Sequence, residues 1–341
     1  LLPTAPVAAG GLVFVADRSG AVRALDSRGT LVWKTLTAGP IYYPPAVAHD
    51  RLYVGSADGR VYAFEARTGR RLWSFRVAPQ ERWIPVYEKL ISVWPVSGGV
   101  VVNGDPVYAA ADISHYDGTY VVALDAVTGK LKAHNSSSGT LEADVNNGIS
   151  LQGELAIVNN ELQFLAGGVY ETARYDLQTL ACLNAPQTQV SSQFRTAFYP
   201  YYPEYGKYVS LDYTCQDGCF LNHNASYEGS VFTNLSLQEP LPPGTELPRQ
   251  EAARWIIRRG GKPPATVWQD KADRRFNGFF VSPARLLAAG HPDEHPDEAF
   301  LVAMNIKDGA DLWLHALPAP AVKGGIAMDH KRNIYVSLEN G

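Results

Sequence analysis

A short sequence that recurs along the chain constrains its fold more than any other feature. Each copy is a strand ending in Ala-Leu-Asp or a close variant, then a tight turn containing glycine, then a second strand. In the three complete copies a tryptophan follows the turn glycine by four residues. A fourth copy, 123–129, has Ala133 where the tryptophan would stand. The complete pairs are Gly29 and Trp33, Gly69 and Trp73, and Gly309 and Trp313.

This fixed spacing predicts a specific packing arrangement. The glycine adopts positive φ and closes the hairpin, so the tryptophan lies on a defined face of the following strand. A ring repeated there can pack between one sheet and the next. The turn glycines, with Gly129 included, lie 40, 60 and 180 residues apart. Since a four-stranded propeller blade takes ~40–45 residues, we predict three degenerate blades between Gly129 and Gly309.

The sequence therefore predicts an all-β chain in which residues 1–341 form a single β-propeller of four-stranded blades. We expect seven blades, with eight as the alternative. Prolines cluster in 240–275, which we interpret as an insertion containing a short helix at 249–259. The aromatic-rich connection 79–95 is expected to lie across one face. The chain starts at Leu1 without a Met and stops at Gly341 just after a strand, so we expect both ends to be truncated.

Composition excludes some classes of function. The formal net charge is −4, which argues against nucleic-acid binding, because that normally needs a basic face. The sequence has no uninterrupted apolar run of the ~18–20 residues that a membrane helix requires. The chain has 18 Tyr, 30 Gly and 23 Pro, a mixture typical of many short strands joined by turns.

The pattern A-L-D-x-x-T-G-x-x-x-W resembles the repeat of PQQ-like β-propellers. This group, whose four-stranded blades are WD40-like, contains quinoprotein dehydrogenases and the outer-membrane assembly propeller of Gram-negative bacteria. Residues 77–82, 90–96 and 334–341 further resemble uncharacterised exported propeller proteins of planctomycete-type bacteria. The resemblance implies export to the periplasm or the extracellular space. It also implies that the repeat glycines and tryptophans are blade-packing residues: Gly29, Gly69, Gly129, Gly309, Trp33, Trp73 and Trp313.

The three cysteines bear on both redox chemistry and cofactor use. Quinoprotein alcohol dehydrogenases typically carry two adjacent cysteines, and this chain has no Cys-Cys pair. Cys215 and Cys219 flank a turn that a disulfide would close in an exported protein. A disulfide and unpaired thiols both remain open, and a metal site is remote because a four-ligand set is missing. If Cys215 and Cys219 pair, we expect Cys182 to be a buried apolar residue.

The densest set of potential metal ligands is the duplicated His-Pro-Asp-Glu sequence at 291–298. His291, Asp293, His295 and Asp297 could together bind a divalent cation. We favour a stiff, solvated loop and predict no metal, since metal ligands need oriented support. The acidic residues Asp26, Glu65 and Asp125 recur at one repeat position, which favours a structural role of bonding backbone N–H groups in the turns.

A tyrosine cluster is the most distinctive candidate binding surface in the sequence. Tyrosine offers contact area together with a hydrogen-bonding tip, which suits a peptide or a sugar. The alternative is an aromatic loop packed on the propeller. The predicted binding residues are Tyr199, Tyr201, Tyr202, Tyr205 and Tyr208.

The leading functional prediction is a non-catalytic binding or scaffolding module of the bacterial envelope, with a protein or polysaccharide partner, no nucleic acid and no cofactor. The first alternative is a quinoprotein oxidoreductase using PQQ and Ca²⁺. Its discriminating features are the adjacent cysteines and a calcium-binding set of Glu, Asn and Asp, which the sequence does not display. A second alternative is a structural subunit of a larger extracellular assembly. We identify no catalytic residue.

Overall fold

The computed structural model describes residues 2–341 apart from 87–88, 140–147, 152, 167–171, 185–207, 215–219, 227–231, 239–248, 252–253, 257–265 and 272. In the strands between residues 208 and 266 it describes the backbone. The chain forms two compact units. The first is Leu1–Val190 with Asp329–Asn333, and the second is Ser191–Met328 with Ile334–Gly341.

Three antiparallel sheets of the first unit have four strands each, paired in chain order. The first blade contains β1 (Val7–Ala9), β2 (Leu12–Ala16), β3 (Ala21–Leu25) and β4 (Leu31–Leu36). The second contains β5 (Ala46–Ala48), β6 (Arg51–Ser56), β7 (Arg60–Glu65) and β8 (Arg71–Arg76). A separate hairpin follows, formed by β9 (Trp83–Val86) and β10 (Lys89–Ser92). The third contains β11 (Val100–Val102), β12 (Pro106–Ala111), β13 (Tyr120–Asp125) and β14 (Leu131–Asn135).

The fourth sheet of this unit has three strands, β15 (Ala156–Val158), β16 (Glu161–Leu165) and β17 (Thr172–Asp176). A single bridge from Tyr175 to Cys182 stands where its fourth strand would pair. A 3-10 turn at His115–Asp117 is the only helical element in the described part of the chain. No helix there is long and apolar enough to cross a membrane.

The second unit contains a blade in which the fourth strand comes from far along the sequence. Strands β18 (Tyr208–Thr214), β19 (Phe220–Ser226) and β20 (Phe232–Gln238) pair in order, and β23 (Thr266–Gln269) pairs with β20. Between them lies a small hairpin of β21 (Arg249–Glu251) and β22 (Arg254–Ile256). A blade of β24 (Arg274–Val281), β25 (Arg285–Pro292), β26 (Phe300–Asn305) and β27 (Asp311–Ala316) follows. The last pair is β28 (Ala321–Met328) and β29 (Ile334–Leu338).

One sequence prediction for this region is wrong, and the boundary of another is revised. The stretch predicted as a helix forms β21 and β22 instead, because Trp and Ile favour strands and outweigh the two alanines between them. The stretch 240–275 is predicted as an insertion, and its last residues include β23, which pairs with β20 in a blade sheet. The short glycine-containing turn that precedes the fourth strand in other blades is absent from this sequence, so the local pattern did not predict β23.

An irregularity in pairing recurs beside the outermost strand of four blades. The register shifts between Ala24 and Leu25, and again after Ala63, Ala123 and Ala303. These alanines pair directly with Trp33, Trp73, Ala133 and Trp313 respectively, and all four alanines are buried. Since a bulge turns and twists the strand, this shift sets the direction of the side chain at the tryptophan position.

Candidate functional site

The tyrosines predicted to bind a partner lie largely outside the described residues. Tyr199, Tyr201, Tyr202 and Tyr205 fall in the range 185–207, and Tyr208 begins β18, where the backbone is described. Cys215 and Cys219 also lie outside the described residues. Cys182 is described, and its thiol is partly buried with Sγ 3.7 Å from Asn184 Oδ1. Burial raises the pKa of this thiol, so it carries little thiolate at neutral pH.

The repeat tryptophan of one blade packs on the turn glycine of the next blade. Trp33 is 8% exposed, and its Nε1 donates a 3.0 Å hydrogen bond to the carbonyl of Ala66. Gly69, in the same turn, has φ of 72°. A Cβ at Gly69 would lie 2.5 Å from the Trp33 ring. The glycine is therefore required twice, by its backbone conformation and by the indole stacked on it.

The same contact recurs at two further places. Trp73 Nε1 donates to the Ala126 carbonyl at 3.2 Å, and a Cβ at Gly129 would meet the Trp73 ring at 2.6 Å. In the second unit, Trp268 Nε1 donates to the Ile306 carbonyl at 2.8 Å beside Gly309. Sequence analysis missed Trp268 because the stretch before it replaces the short turn. Its only local signal was a lone tryptophan in Thr-Val-Trp-Gln.

Two members of the repeat differ from this pattern. Trp313 is partly buried against the cluster of Ala289, Leu301, Ala321 and Ile326, and its ring centroid is 5.0 Å from that of His315. Gly29 has φ of 81°, and no atom of the described residues outside its own turn lies within 4 Å of the position a Cβ would take. The turn at Gly29 thus keeps the conformation of the repeat without an indole over it.

The blade that lacks a tryptophan faces a turn that lacks a glycine. Leu180 occupies the turn after β17 with φ of 55°, and its N–H donates to the Asp176 carbonyl at 2.9 Å. The N–H of Gly129 bonds the Asp125 carbonyl in the same way at 2.8 Å. Leu180 is fully buried, and its carbonyl accepts from Asn135, two residues after Ala133 on β14. Where other blades pair a tryptophan with a turn glycine, these two sheets have Ala133 and Leu180 at the corresponding sequence positions.

The turn acids bond backbone N–H groups of their own turns. Asp125 Oδ1 accepts from Thr128 N at 2.7 Å and from Val127 N at 3.1 Å. Asp26 makes equivalent bonds, and so does Asp176, which sequence analysis overlooked. Glu65 instead accepts from the Thr68 hydroxyl. Bonds from Thr128 lower the pKa of Asp125, consistent with a carboxylate held ionised by its turn.

A second set of recurring aspartates was not predicted. Asp17, Asp58 and Asp112 each lie in the turn between the second and third strands of one of the first three blades, and all three are buried. We call the three turns that contain these residues the aspartate turns. Asp17 Oδ1 accepts from Ser19 N at 2.7 Å, and Asp58 Oδ1 accepts from Arg60 N at 3.0 Å. The aspartate turns lie at the end of each blade opposite to the turn glycines.

Asp112 is the most unusual of the three. Its Oδ2 lies 3.0 Å from Thr119 Oγ1 and accepts from Leu151 N at 3.2 Å, while Oδ1 has no hydrogen-bond partner in the described part of the chain. Burial raises the pKa of the Asp112 carboxyl to about 7, against the opposing effect of these bonds. The Thr119 hydroxyl also contacts the Ile149 carbonyl. Since one hydroxyl donates one proton, a protonated Asp112 satisfies both contacts.

The hairpin of β9 and β10 is attached to all three aspartate turns. Lys89 Nζ donates to the Arg18 carbonyl at 2.8 Å, and Ser92 N donates to the Ala57 carbonyl at 2.8 Å. At the third turn, Arg82 lies 3.6 Å from Asp117. The connection therefore lies across one face of the first unit, in the position that the sequence indicated.

The outward face of this hairpin is apolar and exposed. Pro85 pairs with Leu90, so their side chains share one face, and Trp83 lies on the same face two residues earlier. Trp83 is 39% exposed and Leu90 is 64% exposed. Ile91, on the opposite face, is buried. We call Trp83, Pro85 and Leu90 the hairpin face.

A cleft of ≈ 570 Å³ opens between the second and third blades of the first unit. Its lining includes Phe75 from β8, Tyr120 and Val122 from β13, and Leu131 and His134 from β14. No aspartate or glutamate lines it. The cleft has the size of a small-molecule site, and nothing in the repeat pattern predicted it, since its residues are distant in sequence.

The duplicated His-Pro-Asp-Glu sequence at 291–298 is not arranged as a metal site in the described structure. His291 is buried, with Nδ1 2.7 Å from the Pro292 carbonyl, and Asp293 forms an ion pair with Arg275. Among the described residues, no group of three or more His, Cys, Asp or Glu side chains is placed to hold a metal ion.

The sheets of four antiparallel strands, repeated with indole-to-turn contacts, define a β-propeller of PQQ-like repeats. Residues 2–198 match the family described as outer membrane protein assembly factor BamB, and the chain belongs to that family. The prediction of an all-β propeller with four-stranded blades and its PQQ-like resemblance are confirmed. The number of blades stays a prediction.

Individual relatives include both assembly factors and alcohol dehydrogenases. The chain is 33% identical over 121 residues to outer membrane protein assembly factor BamB of Burkholderia pseudomallei, covering 36% of this chain and 28% of that protein. It is 29% identical over 138 residues to quinohemoprotein alcohol dehydrogenase ADH-IIG of Pseudomonas putida, covering 37% of this chain and 18% of the relative. The aligned regions thus span well under half of either relative.

Among solved structures, the quinohemoprotein alcohol dehydrogenase of Comamonas testosteroni superimposes with a TM-score of 0.57 at 12% identity. The match covers 94% of this chain and 68% of that one. At this level of identity the likeness shows the fold alone.

The residues present do not fit the quinone cofactor of those dehydrogenases. The sequence has no adjacent cysteines to lie over a quinone. Asp17 and Asp58 accept hydrogen bonds from backbone N–H groups of their own turns, and no cluster of acidic ligands for a calcium ion forms among the residues that the structure covers. We therefore derive no redox step.

Proposed function

We propose that this chain is a non-catalytic scaffolding propeller of the bacterial envelope, exported to the periplasm or the extracellular space, that binds other envelope proteins during their assembly. Membership of the BamB family supports the class of function. The hairpin face is the observation that supports binding. An apolar surface that is held across three blades and includes an exposed tryptophan has the composition of a protein-binding hot spot.

The hairpin face is suited to a protein partner more than to a polysaccharide. Leu90 and Pro85 offer apolar area without hydrogen-bonding groups, and Trp83 Nε1 is already bonded to Glu81 Oε1 at 3.2 Å. Sugars need many directed hydrogen bonds, whereas an apolar patch on a protein needs complementary shape. Because Lys89, Ser92 and Arg82 tie the hairpin down, little conformational entropy is lost on docking.

The experiment compares copurification of the chain and its partners from host envelopes for two double variants. Trp83→Ser with Leu90→Ser removes the hairpin face. Leu31→Ser with Val127→Ser removes two residues of similar exposure at the opposite end of the blades. We expect the first variant to lose one specific envelope protein, identified by mass spectrometry, and the second to retain it, with equal melting temperatures. Equal retention by both variants would refute the hairpin face as the binding surface.

The tyrosine segment remains a second proposed surface. Tyr199, Tyr201, Tyr202, Tyr205 and Tyr208 are concentrated where the repeat pattern breaks, and loops beyond the minimum repeat commonly form binding faces. Replacing Tyr201 and Tyr202 by Ala should weaken partner binding at nearly unchanged thermal stability. Loss of folding with unchanged binding in the folded fraction would make these residues part of the core.

The alternative of a quinoprotein oxidoreductase is supported by the similarity to ADH-IIG. Purified protein mixed with PQQ and Ca²⁺ separates the two proposals. Our proposal expects no quinone absorbance retained after gel filtration and no dye-linked alcohol oxidation. Stoichiometric quinone retention would favour the enzyme.

A further inference from the structure

The cleft between the second and third blades has an excess of positive charge at its rim. Arg60 and Arg76 both line it and stand directly opposite each other in the pairing of β7 with β8. Like charges at such a cross-strand pair are destabilising unless an anion lies near. His134 lines the same cleft and pairs with Val122 across β13 and β14.

Only one of the two guanidinium groups is neutralised by the protein. Arg76 donates to the carbonyls of Ala78 at 3.2 Å and Pro79 at 3.0 Å, and it lies 3.7 Å from Glu81. The Arg60 guanidinium has no hydrogen bond or ion pair within the described part of the chain, and neither do the His134 ring and the Tyr120 hydroxyl. Three donors thus border one cleft without acceptors.

Apolar side chains line the rest of the cleft. Phe75 is partly buried, Val122 is buried, and Leu131 is 45% exposed. A volume of ≈ 570 Å³ accommodates a molecule with a ring or a branched aliphatic body. The combination of apolar walls and convergent polar donors is typical of small-molecule sites.

We propose that this cleft binds a small carboxylate that carries an aromatic or branched apolar group. The carboxylate accepts hydrogen bonds from the Arg60 guanidinium, which has the planar donor geometry for two oxygens, and from Tyr120 and His134. The apolar body lies against Phe75, Val122 and Leu131. The site is separate from the hairpin face, so it stands or falls independently of the proposed scaffolding function.

The test uses 3-phenylpropionate as the probe and 3-phenylpropionamide as its neutral control. Binding to the full chain is measured by isothermal titration calorimetry and by NMR line broadening of the probe. We expect the carboxylate to bind at least tenfold more tightly than the amide, since a charge-assisted bond contributes about this factor. Equal affinity for carboxylate and amide, or no binding of the carboxylate at millimolar concentration, would overturn the proposal.

Substitutions at the cleft test whether the carboxylate probe binds there. Arg60→Gln should weaken carboxylate binding about tenfold, whereas Arg67→Gln, an equal charge change beyond the other end of β7, should leave it unchanged. Leu131→Glu puts a carboxylate at the exposed edge of the cleft and should abolish binding, while Leu131→Gln retains most of it. Equal effects of Arg60→Gln and Arg67→Gln would show nonspecific attraction, and unchanged binding in Leu131→Glu would exclude this cleft.

Discussion

At the scale of single residues, the turn glycines show how backbone and side-chain requirements combine. Gly29 and Gly129 have nearly the same positive φ, at 81° and 70°. Of these two, Gly129 has an indole packed against it. A Cβ at Gly129 would lie 2.6 Å from the Trp73 ring, whereas no described atom outside its own turn lies within 4 Å of a Cβ at Gly29. The two positions therefore separate the cost of the left-handed backbone from the cost of displacing the tryptophan.

We expect Gly29→Ala to destabilise the chain by about 1 kcal/mol, the usual cost of a left-handed backbone for an L-residue. Gly129→Ala should cost about 3 kcal/mol, because the added methyl also displaces the Trp73 ring from its bond to Ala126. Urea unfolding of both variants measures the difference. Equal losses would show that the indole contact carries no stability.

Asp112 gives the chain a pH dependence opposite in sign to that of the turn acids. Its carboxyl has a pKa of about 7 in the folded chain, and an unfolded aspartate ionises near ~3.9. The folded state therefore retains a proton that the unfolded state loses. The stabilisation is complete below the unfolded pKa and is lost as pH rises through about 7.

We predict that the free energy of unfolding attributable to Asp112 falls by about 2–4 kcal/mol between pH 4 and pH 8. The Asp112→Asn variant carries no titrating group there, so the difference in stability between it and the natural chain should change by this amount over the range. Urea unfolding at both pH values supplies the four numbers. A pH-independent difference would mean that Asp112 is ionised throughout.

At the scale of elements, each blade contacts the next through two positions, one on the outermost strand and one in the next turn. The side chains at these two positions must match in size. A tryptophan meets a glycine at Gly69, Gly129 and Gly309. In the blade that has Ala133, Asn135 donates to the carbonyl of Leu180 in the next turn, and that leucine adopts an unfavourable positive φ. Burial of the leucine in place of the missing indole offsets the backbone cost.

This size exchange predicts a coupled pair of mutations. Ala133→Trp alone overfills the contact, and Leu180→Gly alone leaves a cavity, so each should cost about 2–4 kcal/mol. The double variant restores the tryptophan–glycine pair and should lose at least about 1 kcal/mol less than the sum of the singles. A double-mutant cycle by chemical unfolding measures this, and strict additivity would show that the two residues do not share a contact.

Local sequence pattern predicted the elements only where each blade keeps its short turn. Strands around Trp33 and Trp73 followed from alternating residues and the fixed distance from glycine. Trp268 was missed because an interposed stretch removed that distance, and Leu180 because a leucine in a left-handed turn resembles an ordinary strand residue. The cleft could not be predicted, since Arg60 and His134 are brought together by packing between blades and not by any short-range pattern.

At the scale of the whole molecule, the first unit presents two different surfaces at its aspartate-turn end. The hairpin face is apolar and is held by bonds to Arg18, Ala57 and Asp117. The cleft is cationic at its rim and apolar within. A hairpin or a cleft added to regular blades can thus provide a binding site without disturbing the indole contacts that hold the blades together.

The proposed scaffolding function requires the hairpin face to contact an envelope protein in the living cell. Site-specific photocrosslinking tests it most directly, with a photoreactive amino acid placed at Leu90 or, as a control of similar exposure, at Val127. We expect one discrete crosslinked product from position 90, identified as an envelope protein, and none from position 127. No product from position 90, or the same products from both positions, would contradict it.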